Sequence, residues 1–499
     1  MLWLIIIPLS FLAWYVRPIL PIDETRYLSV AYDMFKDGDF LVPHLNGEVY
    51  SHKPPLLFWL MNAGWKVFGL NSWWPRALGV IALFLNAHYL KKLSLLIWPD
   101  RRAVAINASQ IYLTMFFPLV FSSLIFFDLW ISLFAMLSLI AIFSYIRHQN
   151  FWHSAFLFGL GIGLGILMKG PVILLFALVP LLFRKTYTEV KLSKLALTGF
   201  TIGLLIALVW AIPAAISGGS EYSDAIFIKQ TAGRIASDNA GTVSGATVHA
   251  RPFWYFIVLM PLLMIPWSFK RSFYTRKHHP FLLAAVVPVF VIFSLMSGKQ
   301  PHYLLPLFPL LALMVSDKAT KREANQSDNP ALICLLLFAG SLFAFGQYTS
   351  PSSYFPNSSD VSSAAIILLL LSALGYRAAK KRRRPMQFWF NVTPLLIFTL
   401  HLALGSNFAK QYDMQPLADQ ARSWQEQGFD VAFQGSYHGQ LNFTGRLPHP
   451  IHEIDSAQSL EEFYAQHPDG KLIRIIRPEN KTSEYPTLLH ATRLAELHQ

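Results

Sequence analysis

Long apolar runs separated by short polar connections fill most of the chain, and one polar stretch near its start breaks the rhythm. A membrane-spanning helix needs about 20 predominantly apolar residues, with about 17 tolerated. By that measure a first span is predicted at 2–16, and others at 76–96, 103–121, 129–146, 151–168, 171–183 and 195–216. The second half adds 253–269, 280–296, 303–315, 331–345, 361–376 and 388–404, which brings the expectation to about 13 spans. The first run lacks a basic leader and a small-x-small cleavage site, so it reads as an uncleaved span. From about Asn407 the pattern becomes that of a soluble domain, with helices expected at 416–427 and 457–466 and strands at 430–434 and 471–477. The fold class is therefore a mostly α polytopic membrane protein, residues 1–406, with a small C-terminal α/β domain, residues 407–499. Two connections are long enough to carry a site, 17–75 and 217–252.

Composition agrees with this pattern. The chain is 54% hydrophobic and 14% charged, where a soluble domain carries about a quarter charged residues. Its formal net charge of +13 does not point to nucleic acid, because the basic residues sit in short clusters between apolar runs and form no single face. They report orientation instead. The even-numbered connections and their flanks hold 22 of the 41 Lys and Arg and the odd-numbered ones 11, the other eight lying in the C-terminal tail. Positive charge accumulates on the cytoplasmic side, so the N-terminus is expected inside, and the connection 17–75 and the C-terminal domain outside. The single cysteine, Cys334, excludes internal disulfides and thiolate metal sites.

Candidate chemistry collects on the outward connections. The stretch 21–55 opens with Asp23-Glu24-Thr25-Arg26-Tyr27, two carboxylates beside a guanidinium, and closes with Tyr50-Ser51-His52-Lys53-Pro54-Pro55. Asp128 opens a span and Lys169-Gly170-Pro171 interrupts an apolar hairpin; ionisable groups there are costly unless paired or hydrated. The blander reading of a lone lysine at a span end is snorkelling to headgroups. Against it stands the clustering of Asp23, Lys53, Asp128, Lys169, Arg234 and Lys299 on one side. The glycine-rich connection around Arg234 suits a substrate lid, and Lys299-Gln300-Pro301-His302-Tyr303 adds groups suited to a phosphate. A divalent metal stays open as a cofactor, with His52 and His249 as candidate ligands, although no HExxH or paired-histidine spacing is present. No Gly-x-Ser-x-Gly elbow supports a serine hydrolase.

These motifs, with Gly38-Asp39-Phe40-Leu41-Val42-Pro43, Leu45-Asn46-Gly47, Phe127-Asp128 and Pro252-Phe253-Trp254-Tyr255, resemble the GT-C membrane glycosyltransferases related to bacterial aminoarabinose transferase and protein O-mannosyltransferases. The resemblance runs in order over spans one to ten. It implies a hexosyl- or pentosyltransferase of the bacterial inner membrane that moves a sugar from a polyprenyl-phosphate donor to lipid A, lipopolysaccharide or another envelope glycoconjugate. It also implies roles: Asp23 matches the catalytic aspartate, with Glu24 and Asp128 as further catalytic candidates. Arg26, Tyr50 and Lys53 match positions near the donor phosphate, and Lys169, Arg234 and Tyr303 match further phosphate-holding positions. Relatives commonly carry Glu directly before the lysine of Lys-Pro-Pro, where this chain has His52.

The chemistry is consistent with that assignment. A departing lipid phosphate gathers negative charge that preorganised Arg and Lys stabilise, and an acceptor hydroxyl needs a base within reach, the role expected of Asp23. A single displacement inverts the anomeric carbon. Two alternatives stay in view, a protein O-glycosyltransferase of the same fold and a transporter or flippase of a lipid-linked substrate. The latter predicts repeated halves and broken helices with charges at the midplane.

Overall fold

The computed structural model describes residues 2–229, 250–274, 278–317, 329–348, 358–381, 385–476, 487–490 and 493–498. Among the described residues six helices are long and apolar enough to cross a membrane: Trp73–Ile97, Asp128–His148, Phe151–Lys169, Ser193–Phe227, Ser359–Ala378 and Phe388–Gly405. Trp3–Val16, Ile173–Leu182, Pro280–Leu295 and Leu332–Phe345 are shorter apolar helices. Labelled in chain order, the elements that build the site are α1 (Trp3–Val16), α2 (Asp23–Asp37), α3 (Leu56–Phe68), α4 (Trp73–Ile97), α5 (Arg102–Leu113), α6 (Phe116–Phe121), α7 (Asp128–His148) and α8 (Phe151–Lys169).

Several runs expected as single spans are interrupted. The run 103–121 divides into α5 and α6 at Thr114 and Met115, and 303–315 is a 3-10 turn, Pro301–Leu307, followed by the helix Phe308–Asp317. Within an apolar bundle the backbone groups freed by such breaks need partners. Neighbouring elements supply them: Phe116 N donates to Ile265 O at 3.0 Å, and Thr393 Oγ1 donates to Thr114 O at 2.6 Å. Apolar periodicity alone does not register these breaks, since the side chains on either side stay apolar.

Close helix packing sets the bundle's geometry. A Cβ on Gly159 of α8 would lie 2.7 Å from the Gly199 carbonyl oxygen, and one on Gly203 would lie 2.9 Å from that of Gly159. Only residues without a side chain let α8 and the helix Ser193–Asp224 approach this closely, the small-residue device common between membrane helices. Between α4 and α7, Asn86 Nδ2 donates to Leu129 O and Ser132 Oγ to Asn86 Oδ1, both at 2.8 Å.

At one end of this bundle lies α2, which is amphipathic and too polar to span. Asp23 and Glu24 occupy its first turn and Lys36 its last, each favourable to the helix dipole, and Gly38 ends it with φ 74°. A two-stranded hairpin, β1 (His44–Leu45) and β2 (Glu48–Val49), leads from α2 back to α3.

A small α/β domain follows the last long helix, Pro385–Tyr412, and begins with the helix Gln415–Glu426. Its strands are β3 (Val431–Gln434), β4 (His452–Ile454), β5 (Lys471–Ile476), β6 (Thr487–His490) and β7 (Arg493–His498), in the order β4-β3-β5-β7-β6. The first three are parallel, with the helix Ala457–Gln466 as the crossover between β4 and β5, and β7 and β6 continue antiparallel. This domain is clamped onto α2. Ser29 Oγ donates to Gly439 O at 2.6 Å, Lys36 Nζ to Pro448 O at 2.8 Å, and the Phe443 ring stacks on Trp65 at 5.4 Å. Asn46, at φ 58°, fills the joint. Its Nδ2 donates to Ile451 O at 2.8 Å and its Oδ1 accepts from Ile451 N at 2.8 Å, so the hairpin tip and the domain share one buried amide.

Candidate active site

The first turn of α2 places Asp23 and Glu24 a third of a helical turn apart, and they meet opposite surroundings. Glu24 is 1% exposed and bonded from several directions. Arg17 grips it through Nη1 at 2.5 Å and Nη2 at 3.3 Å, and the backbone N–H groups of Leu20 and Ile125 donate to it at 2.9 and 3.0 Å. Arg17 also donates to Ser123 O at 2.9 Å, and Arg76 holds the Arg17 carbonyl at 3.3 Å. Burial raises the Glu24 pKa, but the Arg17 and Arg76 charges outweigh it and hold the carboxyl below its ordinary value. Glu24 thus ties α1, α2, α4 and the segment before α7 together.

Asp23 lies on the open side of the same turn. Its Oδ1 accepts from Arg26 Nη2 and, at 3.2 Å, from the Tyr27 hydroxyl. Burial and the Asp23 charge push the Tyr27 phenol well above its ordinary value, so it remains a neutral donor. Tyr50 and Tyr27 are the other groups that bear on the Arg26 guanidinium. The Lys-Pro-Pro strand thereby arrives beside the α2 acid, with the Tyr50 ring packed on Phe58 and on His52 at 6.2 and 5.3 Å.

An aromatic floor joins this cluster to a second one. Tyr27 meets Phe127 edge-on at 4.9 Å, Phe127 meets Phe58 at 5.9 Å, and Lys53 Nζ stands 6.0 Å from the Phe127 centroid. One residue on, Asp128 begins α7 and forms a 2.5 Å ion pair with Lys169, the last residue of α8. Lys169 Nζ also lies over the Tyr303 ring at 5.1 Å. His302 packs on Phe126 at 5.3 Å, and the charges near enough to act on it are those of Asp128, Lys169, Asp23 and Lys53. The two clusters are therefore joined through Phe127 and Asp128 at the converging ends of α2, α7 and α8.

Of the residues singled out from sequence, Asp23, Arg26, Tyr50, Lys53, Asp128, Lys169 and Tyr303 are brought together. Arg234 and His249 lie outside the described residues. Lys299 is occupied elsewhere, donating to Arg251 O at 2.8 Å and to Met296 O, which fastens 250–252 to the turn before Pro301. Among the described residues no three His, Cys, Asp or Glu side chains are grouped to hold a metal ion. The site also contains Arg17, Arg76 and Tyr27, to which the sequence pattern assigns no role of their own. A basic residue beside a loop acid is a signal for Arg17.

Helix ends converge on an aspartate flanked by Arg and Lys, with a small α/β domain docked on the same end, in the arrangement of a GT-C fold. Comparison with known proteins narrows it. Residues 52–214 match the dolichyl-phosphate-mannose-protein mannosyltransferase family model, and the fold of the chain is similar to that of an aminoarabinose transferase. The undecaprenyl phosphate-alpha-4-amino-4-deoxy-L-arabinose arabinosyl transferase of Photorhabdus laumondii is 30% identical over 316 residues, 59% of this chain and 54% of that protein. Its counterpart in Aeromonas hydrophila is 28% identical over 372 residues, 68% of this chain and 66% of that protein. These matches span between about half and two thirds of the relatives' length. The crystal structure of ArnT from Cupriavidus metallidurans bound to undecaprenyl phosphate superposes with a TM-score of 0.76 at 18% identity, covering 99% of this chain and 96% of that one.

Proposed function

We propose that the chain transfers a sugar from a polyprenyl-phosphate donor to an acceptor on lipid A or another envelope glycoconjugate, at the outer face of the bacterial inner membrane. The observation that carries this reading is the open Asp23–Arg26–Tyr27 cluster joined through Phe127 to Lys53 and to the Asp128–Lys169 pair. Cations at a lipid-facing bundle end suit a phosphate whose negative charge grows as the glycosidic bond breaks. Arg26, Lys53 and Lys169 hold that phosphate, with Tyr50 and Tyr303 lining its place and Arg234 a further contributor from the fourth outward connection. Asp23 accepts the proton of an acceptor hydroxyl; toward an acceptor already ionised it orients the sugar and stabilises its positive ring. Asp128 holds Lys169 in position, and Glu24 fixes the helix that presents Asp23. Displacement on the face opposite the phosphate inverts the anomeric centre.

The relatives' names supply the donor chemistry, a 4-amino-4-deoxy-arabinose on undecaprenyl phosphate, and support a pentosyl donor here. Mass spectrometry of envelope lipids and proteins from cells with and without this chain identifies sugar and acceptor together. The expected result is a sugar increment on a lipid, absent when Asp23 is replaced by Asn. An increment on protein would transfer the assignment to a protein O-glycosyltransferase. Loss of lipid-linked substrate from the outer leaflet with no new glycoside would instead make the chain a transporter.

A further inference from the structure

Close to the first turn of α2 the bundle holds a cavity of about 300 Å³, enclosed by α1, α6 and the helix Pro385–Tyr412. Its walls are alkyl: Leu9 and Ala13 of α1, Leu119 of α6, and Leu400 and Leu404 of the last long helix. That helix and α1 meet at Gly405, where any side chain would collide with Val16. The polar groups along the cavity are turned to partners of their own. Ser10 Oγ donates to Ile6 O at 2.9 Å, Ser123 Oγ to Val120 O at 2.9 Å and His401 Nδ1 to Ile397 O at 2.8 Å, while the Arg17 guanidinium is taken up by Glu24 and Ser123 O. A buried water needs two to four polar partners, and an apolar cavity of about 150 Å³ already stays dry and takes up an apolar ligand. Leu9 and Arg17, both on its wall, are separated by about 12 Å along the helix axis. The space is elongated and apolar, which suits an alkyl chain.

We infer that this cavity takes one acyl chain of the acceptor lipid, while the acceptor's polar head lies at Asp23. The inference rests on the transfer reaction proposed above and narrows its acceptor to an acylated lipid. Reach supports it. Leu20 lines the cavity and stands three residues before Asp23, so their Cα atoms are at most about 11 Å apart. The segment also folds back on the helix: Leu20 N donates to Glu24 Oε2 at 2.9 Å and Leu20 O accepts from Thr25 N at 3.3 Å, which holds Leu20 against the first turn of α2. One amphiphile therefore spans from the space between α1 and the last long helix to the open carboxylate. The polyprenyl donor belongs elsewhere, because Arg26, Lys53 and Lys169, the cations proposed to hold its phosphate, are absent from the cavity's lining.

Steady-state kinetics of the purified full chain test this, with undecaprenyl-phosphate aminoarabinose as donor and, at one detergent concentration, either lipid A or the same lipid A stripped of its acyl chains as acceptor. Wild type is expected to show an acceptor KM about tenfold or more higher for the stripped form. Ala13→Phe fills the cavity and should raise the KM for intact lipid A until the difference falls below about threefold, with the donor KM within about twofold of wild type. Leu404→Trp, from the facing helix, should do the same, and it decides should Ala13→Phe fail to fold. Equal KM values for the two acceptors in wild type overturn the inference, as does a difference kept in full by both filled variants. A rise in the donor KM alone would give the cavity to the polyprenyl chain and overturn it too. Asp23→Asn is the control on the reaction itself. If it retains full transfer, or wild type transfers nothing, the proposed reaction fails and the acceptor's place in the cavity with it.

Discussion

Two aspartate–cation pairs stand side by side at the end of the bundle, and they differ in how they are made. Asp23 and Asp128 each open a helix, so each carboxylate sits where the helix dipole favours it. Asp23 takes its cation from its own helix, Arg26, and the pair is 42% and 20% exposed. Asp128 takes its cation from another helix, Lys169, and the pair is 4% and 9% exposed. An exposed local pair contributes little to stability and can exchange partners. A buried pair between helices is demanding to break, because either partner alone is an uncompensated charge. The open pair is thus free to exchange partners, and the closed pair fixes Lys169, which in the proposed reaction meets the donor phosphate.

The largest expected effect breaks the open pair. Asp23→Asn keeps the shape and the Tyr27 contact but removes the proposed base, and should lower turnover by about 100- to 10,000-fold. Its melting temperature should stay near wild type, since the wild-type carboxylate is partly hydrated. Turnover within a few-fold of wild type, measured with purified donor, would remove Asp23 from the chemistry.

The closed pair should respond in stability as well as in activity. Lys169→Met leaves Asp128 buried without its cation and is expected to destabilise the bundle by about 3–5 kcal/mol. Adding Asp128→Asn should restore most of that loss, but not the activity, because the cation proposed to hold the phosphate is still missing. Arg26→Ala, the equivalent cut in the open pair, should change stability by only about 0–1 kcal/mol. Unfolding of the three variants in one detergent gives the contrast directly. Equal losses for Lys169→Met and Arg26→Ala would mean the two pairs do not differ as their burial indicates.

How much of this was legible in the sequence follows the same divide. Polar clusters at the ends of apolar runs stand out, so Asp23, Arg26, Lys53, Asp128 and Lys169 were visible, as was a helical membrane domain followed by an α/β domain. The different fates of Asp23 and Glu24 were not, because adjacent acids look alike until the rotation of α2 and the position of Arg17 are known. The breaks at Thr114 and before Phe308 were hidden in uninterrupted apolar sequence. Ile451 lies more than 400 positions from Asn46, and only docking of the C-terminal domain brings the two together. The antiparallel strands β6 and β7 also went unforeseen, since the tail they occupy has no clear alternation.

A third acid on α2 sharpens the comparison by showing burial without a close cation. Asp33 is 6% exposed, and its nearest support is the Asn46 backbone N–H at 2.7 Å. Burial dominates, with Asn46 and the more distant Lys36 opposing it, and the carboxyl is raised from 3.8 to about 6. The sign follows from proton counting. Between about pH 4 and pH 6 the folded protein holds a proton on Asp33 that the unfolded chain has released, so stability from this group is present at low pH and is lost as pH rises through about 6. At neutral pH the folded protein carries the charged form at a disadvantage of about 2–3 kcal/mol. Asp33→Asn should therefore be the more stable protein at pH 7, and the difference from wild type should shrink as pH falls from about 7 to 4. Melting temperatures of the two proteins across that range measure the difference, in which the titration of all other groups cancels. A constant offset would show that Asp33 stays ionised in the joint, so that the hydrogen bond from Asn46 and the charge of Lys36 outweigh its burial.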